Sequence, residues 1–295
     1  MTSCRKTNCR PKTTNNAAPM ACQPYRDLFI YYLQGRVKFD GAFMRANFIG
    51  NWEEEDFSFL FFSSPAATQV DGLLQSQPEL TYIDSYQMSY EQWHGARLEA
   101  YDHGQFRIIP CWLNNRGLTD VPDGKFPIIL DPGVVFGTGT HPTTHDCLDA
   151  LELAYSRTTP HTVLDLGTGT GVLALAAACL GAKRILAVDY NMLAAQTAER
   201  NVRLNNRKDN VVVVRGRAEA LIHCPADLII ANIHFEVMQQ LLACGAFLMQ
   251  KAFILSGLLR REAKEVANIL ARMPVKVMKT WTHEGIWHTF YGKRS

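Results

Sequence analysis

Short runs that are apolar throughout recur along the C-terminal half of the chain: TVLDL (162–166), RILAV (184–188), VVVV (211–214), DLIIA (227–231) and AFILS (252–256). Stretches with helical periodicity lie between and after them, at 171–181, 191–205, 234–248 and 259–272. A strand without a polar face must be covered on both sides, and intervening helices supply that cover. The pattern therefore predicts an α/β fold with a parallel sheet flanked by helices. VKVMKT (275–280) and IWHTFYG (286–292) add two strands joined through a hairpin-like Thr-His-Glu-Gly, so the last strand is expected to run antiparallel. We assign this domain to residues 128–295.

The upstream part reads differently. LFIYYLQGRV (28–37), FSFLFFS (57–63) and LTYIDSYQM (80–88) are strand-like, and 66–75 suits a helix with Val70, Leu73 and Leu74 on one face. Residues 25–88 thus form a small α+β unit, with Glu53, Glu54, Glu55 and Asp56 as a solvated turn before the second strand. Residues 89–127 read as a linker region. FRIIPCW (106–112) is extended, Pro110 confines it to an edge or a strand end, and Asn-Asn-Arg-Gly and Pro-Asp-Gly mark loops. Residues 1–24 are polar and read as a flexible tail, with Met20 as an alternative start; they lack the apolar core of a secretory signal.

Bulk properties exclude several classes. A net charge of +2 offers little reason to expect a nucleic-acid partner. No apolar run reaches the roughly 20 residues that span a bilayer. The eight cysteines form no Cys-x-x-Cys pair, and Cys4, Cys9 and Cys22 match no common metal spacing. A cytoplasmic protein is the default expectation.

TVLDLGTGTGVLALAAACLG is a strand, a glycine turn and a helix. Gly167 and Gly169 open backbone angles closed to other residues, and the helix start offers free N–H groups. A dinucleotide site needs Gly-x-Gly-x-x-Gly, but here Val172 holds the third position and Gly171 falls one residue early. Asp165, two residues before the first glycine, would repel a pyrophosphate and attract a cation. S-adenosylmethionine carries a sulfonium and an ammonium and no phosphate, so spacing and charge favour it over NAD. Asp189 ends the next strand, 22 residues after Gly167, where a carboxylate accepts hydrogen bonds from ribose hydroxyls. The competing role for Asp189 is to cap the helix starting near Asn191. Asn232 ends the strand DLIIAN, at the crevice where parallel strands present ligand sites; its competing role is to cap the helix from His234.

A second Gly-Thr-Gly loop, FGTGTHPTT (136–144), precedes a helix expected to start at Pro142, with Thr143 and Asp146 as a capping box. Cys147, Leu148, Leu151 and Tyr155 share one face of it. His141 and His145 are four apart, but no third ligand is evident and no metal is expected. LDPGVVFGTGTHPTTHDCL, VLDLGTGTGVLALAAACLGA, AVDYNMLAAQTAERNVRLN and ANIHFEV together resemble the PrmA-type methyltransferases, which act on ribosomal protein L11. The similarity runs from GNWEEEDFSFLFF to EGIWHTFYGKR, roughly residues 25–293.

The resemblance implies a Rossmann-like, seven-stranded class I methyltransferase domain behind a small ferredoxin-like domain that selects the substrate. It places Thr144, Gly167, Asp189 and Asn232 at cofactor positions, with Thr144 near the carboxylate of the cofactor's amino-acid end. It further implies S-adenosylmethionine-dependent transfer to lysine or α-amino groups of a ribosomal protein. Asn-Ile-His-Phe departs from the commoner Asn-Ile-Leu-Ala of that family. Such transfer is expected to work by proximity, with Asn232 orienting the amine, Phe235 packing on the target side chain and His234 a candidate base on position alone. The alternatives are a lysine methyltransferase of another protein, an NAD-dependent oxidoreductase, and a binding module without catalysis.

Overall fold

The computed structural model describes residues 25–39, 47–113 and 121–295; the tail expected at 1–24, with its three cysteines, lies outside them. The large domain is a seven-stranded sheet. Its parallel part comprises β8 (Thr162–Leu166), β9 (Arg184–Asp189), β10 (Val211–Arg215), β11 (Leu228–Asn232) and β12 (Ala252–Leu259). Beyond β12 come β14 (Trp287–Arg294), antiparallel to both its neighbours, and β13 (Val275–His283), which therefore runs in the direction of the other five, and the spatial order is β10-β9-β8-β11-β12-β14-β13. The last strand is antiparallel, as expected, and it inserts between β12 and β13. The order reverses between β8 and β11, so the ends of these strands open the crevice where α/β folds bind ligands.

The helices explain why the strands carry no polar face. On one side lie α3 (Pro142–Arg157) and α4 (Val172–Cys179), whose Leu148, Leu151 and Leu173 pack with Val163, Ile185 and Ile230. On the other lie α7 (Phe235–Ala243) and α8 (Arg260–Leu270), whose Met238, Leu241 and Val266 pack with Leu164, Leu166 and Ile229. Successive residues of β8 thus enter opposite cores, as the two-residue period of a strand requires. Between β9 and β10 runs α5 (Met192–Leu204).

The small unit is an antiparallel sheet of β1 (Asp27–Gln34), β2 (Phe48–Glu54), β3 (Phe57–Phe62) and β4 (Thr81–Ser89), in the order β2-β3-β1-β4. That is the strand order of a ferredoxin-like unit, and α1 (Ala67–Ser76) covers one face with Val70 and Leu73 against Tyr31, Leu33, Leu60 and Phe62. The opposite face, through Leu28, Ile30 and Phe61, packs on Val134, Val135, Leu193 and Ala194 of the large domain. The acidic turn is shorter than expected. Glu53 and Glu54 belong to β2, and the chain reverses at Glu55, whose φ is +49°, and Asp56.

The stretch 89–127 is more than a linker. It contains α2 (Tyr90–His94), β5 (Tyr101–His103), β6 (Phe106–Pro110) and the start of β7 (Phe126–Leu130), and the three strands form a sheet ordered β5-β6-β7. Phe106, Ile108, Ile128 and Leu130 are buried in the same core as α3 and α4. Pro110 sits at the last position of β6, where a missing N–H costs least. These short runs show no periodicity of their own because distant helices bury them.

The free side of β7 is closed by two asparagines one turn apart, Asn201 on α5 and Asn205 at its C-cap. Asn205 accepts from Ile129 N at 2.9 Å and donates to its carbonyl at 2.6 Å. Asn201 accepts from Asp131 N at 2.8 Å and donates to Asp131 O at 2.9 Å and to Thr170 O at 2.8 Å. The asparagine side chains do here what a neighbouring strand does elsewhere. Replacing Asn201 with Ala strands buried backbone groups at a cost of about 1–3 kcal/mol. Urea unfolding is therefore expected to show Asn201→Ala less stable by at least about 2 kcal/mol; a loss under about 0.5 kcal/mol contradicts this role.

Candidate cofactor and active site

The second glycine loop folds over the ends of β8 and β9. Gly167 N and Thr168 N both donate to Val188 O, at 2.8 and 2.9 Å. Gly167 and Gly169 have φ of +72° and +55°, the left-handed region that disfavours side chains. Space forbids them as well. A Cβ on Gly167 would collide with the Ile233 side chain, and one on Gly169 would lie 2.6 Å from Phe136 O. The sequence argument assigned these glycines to ligand approach; the structure adds that protein atoms already crowd them. Gly171 is the N-cap of α4 and packs on Ala198, and Val172 is buried in the first turn.

Two carboxylates flank this turn. Asp165 is buried and accepts from Thr168 Oγ1 at 2.6 Å. Asp189 accepts from Gly169 N through Oδ2 and from Asn191 N through Oδ1, each at 2.9 Å. The cap of α5 is Asn191, which accepts from Leu193 N at 2.9 Å, so Asp189 is not spent on capping. Burial pushes the Asp165 carboxyl up to about 6 despite its hydroxyl and backbone donors, and the nearby Asp189 charge adds to the rise. Burial likewise raises Asp189, against the two N–H groups that lower it. Among the described residues no cationic side chain acts on either carboxylate.

The first glycine loop lies directly against the second. Thr170 N donates to Phe136 O at 3.2 Å, and Thr170 Oγ1 donates to Gly137 O at 2.6 Å. Gly139, at φ +90°, sits on the Tyr101 hydroxyl where a Cβ would not fit. The loop leads into α3 with Pro142 first, as expected, but the capping box does not form. His141 is the N-cap, its Nδ1 accepting from Thr143 N at 3.3 Å and lying 2.7 Å from Thr143 Oγ1. Asp146 turns inward to accept from Thr289 Oγ1 at 3.1 Å. A histidine cap is outside the usual set of Ser, Thr, Asp and Asn, so nothing in the pattern marked it. Thr144 is buried in this first turn and its N–H donates to His141 O at 2.9 Å, which leaves the hydroxyl as the group it can offer a ligand.

Asn232 ends β11 and donates through Nδ2 to Thr143 Oγ1 at 3.2 Å, linking the strand crevice to the first loop's helix. It caps nothing, because the N-cap of α7 is the exposed His234. Gly257, at φ +83°, passes close by: a Cβ there would stand 3.0 Å from Asn232 Oδ1. Phe235 is half-buried and packs against the core beneath α7. His145 leaves the loop entirely and stacks on His103 with ring centres 4.3 Å apart. Trp287, read from the sequence only as part of a strand, meets His141 edge to face at 5.0 Å, and His141 meets Phe136 in the same way at 5.3 Å. Burial holds the His141 imidazole below its ordinary range, with His283 adding to the shift.

Comparison with known proteins identifies the family. Residues 64–295 match the family model described as ribosomal protein L11 methyltransferase (PrmA). The chain is similar to the ribosomal protein L11 methyltransferase of Anoxybacillus flavithermus, 36% identical over 214 residues, covering 70% of this chain and 67% of that protein. It is also similar to the one from Bacillus cytotoxicus, 39% identical over 188 residues, covering 62% of this chain and 59% of that protein. The match therefore spans about three fifths to two thirds of these relatives' lengths. A crystal structure of a ribosomal protein L11 methylase from Lactobacillus delbrueckii superposes with a TM-score of 0.58 at 28% identity, over 67% of this chain and 99% of the other.

The contact between the loops makes Gly169 the most constrained of these glycines. A side chain there costs about 1–3 kcal/mol in backbone strain alone. Gly169→Ala is expected to lower unfolding stability by at least that much, whereas Gly72→Ala, in open space on α1, should be neutral or slightly stabilising. Equal effects of the two substitutions in thermal unfolding contradict the packing described here.

Proposed function

Because this chain belongs to the ribosomal protein L11 methyltransferase family, we propose that it transfers the methyl group of S-adenosylmethionine to amino groups of ribosomal protein L11, on lysine side chains or the α-amine. The observation that carries the reading is the pair of buried carboxylates, Asp165 and Asp189, set around a glycine turn with no cation to neutralise them. A cationic cofactor without phosphates suits that charge, and a pyrophosphate does not.

When bound, S-adenosylmethionine supplies a methyl group on a positive sulfur that leaves as a neutral thioether. The roles that follow fall to this chain's own residues. Each Asp189 oxygen takes one backbone N–H and keeps a second lone pair for a ribose hydroxyl. Asp165 lends negative charge beneath the cationic end, Gly167 and Gly169 let the turn pack against Ile233 and Phe136 and so set its shape, and the Thr144 hydroxyl receives its carboxylate.

Asn232 orients the amine. Its Nδ2 is held on Thr143, so its Oδ1 is fixed as an acceptor, and Gly257 leaves room beside that oxygen. A lysine amine must be neutral to attack, which costs about 4–5 kcal/mol at pH 7, and an α-amine costs much less. An amide cannot take that proton, so it passes to water before the amine engages. Asn232 thus contributes by aiming a lone pair. The small domain of residues 25–88 selects the target, and the enzyme works in the cytoplasm, where it meets the ribosomal protein. Among the described residues no helix is long and apolar enough to cross a membrane.

The direct test is incubation of the protein with methyl-labelled cofactor and purified ribosomal protein L11. Label is expected on L11; cofactor binding with no label contradicts the proposal. Asn232→Ala should lower kcat about a hundredfold with less than a tenfold change in cofactor affinity. Asp189→Ala, which removes a charged acceptor worth about 1.5–3 kcal/mol, should weaken cofactor binding by tenfold or more; unchanged affinity in calorimetry refutes the ribose assignment.

The Asp165 carboxyl gives a pH dependence. Only the ionised form attracts the cation, so affinity should be level above about pH 6 and fall as pH drops through that value. The stability effect has the opposite sign. The folded state holds the Asp165 proton more tightly than the unfolded chain, so this group's contribution is full at low pH and is lost as pH rises from the ordinary carboxylate range to about 6. Asp165→Asn should flatten the affinity profile; a profile that keeps its slope in this variant contradicts the assignment.

A further inference from the structure

Between the small sheet and the first glycine loop runs a groove of about 800 Å³. One wall is the face of the small sheet turned away from α1, with Ile30, Trp52, Phe59 and Tyr86, joined by Trp93 of α2. The other wall is the loop from Val134 to Pro142. Neither Asp165, Asp189 nor Gly167 lines it, so it is distinct from the cofactor cradle and shares with it only the first loop. Its lining includes Thr140, His141 and Pro142, immediately before the Thr143 that anchors Asn232.

The charge of this groove is one-sided. Among the described residues Glu54 is the one carboxylate that lines it, and no described lysine or arginine does. The neighbouring Glu53 is already committed to Arg215 of the large domain at 3.6 Å, whereas Glu54 is exposed and carries no ion pair among the described residues. The two histidines in the lining do not offset it: His94 lies 3.1 Å from Gly133 O and His141 caps α3, and burial holds both below their ordinary range. Tyr86 and Trp93 are 47% and 36% exposed, far more than apolar packing alone would leave. An anion at the β2 edge of the groove and open aromatic faces at its β4 edge suit an extended segment whose side chains have apolar stems and cationic heads.

We infer that this groove is the docking channel for an extended, lysine-bearing segment of the protein substrate, with Glu54 and the faces of Tyr86 and Trp93 engaging its cationic side chains as the target amine is led toward Asn232. The inference rests on the proposed amine methylation and deepens it by naming which face of the small domain selects the substrate. The groove has the size of a ligand site rather than of a single side chain, so it accommodates several residues. Lysines flanking the target stay charged in the groove, while the amine that reacts must be neutral at Asn232. Recognition and reaction therefore use different chemistry at the two ends of one channel.

The test is steady-state methylation of purified ribosomal protein L11 by the full-length protein and by Glu54→Gln, Tyr86→Ala and the control Glu91→Gln, which lies on α2 outside the groove. Loss of one partly exposed ion pair or one cation–π contact corresponds to about a three- to fivefold change. Glu54→Gln and Tyr86→Ala should each raise the KM for L11 by that factor, with kcat and cofactor affinity within twofold of wild type and the control unchanged. The Glu54 effect should shrink in high salt, since it is electrostatic. An unchanged KM in both variants, with L11 still labelled, overturns the groove and leaves the methyltransferase reading standing. Wild-type protein that binds cofactor but leaves L11 unlabelled overturns both.

Discussion

One threonine joins the two glycine loops. Thr170 gives its backbone N–H to Phe136 O and its hydroxyl to Gly137 O, and Asn201 then takes up its carbonyl. The cofactor turn, the loop that leads into α3, and α5 are thereby fixed to one another through a single residue. Gly169 is confined by the same contact, because the carbonyl of Phe136 occupies the space a side chain would need. Two loops that look like copies in the sequence are two halves of one structure, and neither keeps its shape without the other.

Charge is distributed around this joint with a consistent sense. Asp165 and Asp189 are buried on the turn side, held by hydroxyl and backbone donors that do not neutralise them. Burying such groups costs free energy, which the proposed cationic cofactor would offset. On the far side of the first loop, Glu54 is the one charged carboxylate that lines an aromatic groove among the described residues. The loop of residues 136–144 thus lies between two acidic regions. Asn232, neutral and anchored on Thr143, is the residue we propose to orient the amine.

Much of this was legible in the sequence. The parallel strands could be read because both of their faces are buried, which leaves runs with no polar residue. The glycine spacing and Asp165 suggested a cationic cofactor from the sequence, and in the fold Asp189 and Asn232 are free of the capping roles that competed for them. What escaped depends on contacts between distant residues. Strands β5 to β7 are short and take their cover from α3 and α4, so 89–127 looked like a linker. Strand β2 ends in two glutamates and was taken for a turn. Thr143 and Asp146 had the spacing of a capping box, but His141 caps the helix and Asp146 is drawn to Thr289 on a strand far along the chain. Trp287 gave no signal, since its meeting with His141 exists only once β14 is inserted in the sheet.

The central claim is that the two glycine loops act as one cradle, and hydrogen exchange followed by mass spectrometry tests it directly. Saturating S-adenosylmethionine should slow exchange in peptides covering 167–171 and, to a comparable degree, in those covering 136–144, since Thr170 transmits order from one loop to the other. Protection confined to 167–171, with 136–144 exchanging as fast as in the free protein, would show that the first loop is a bystander to cofactor binding and would contradict the account.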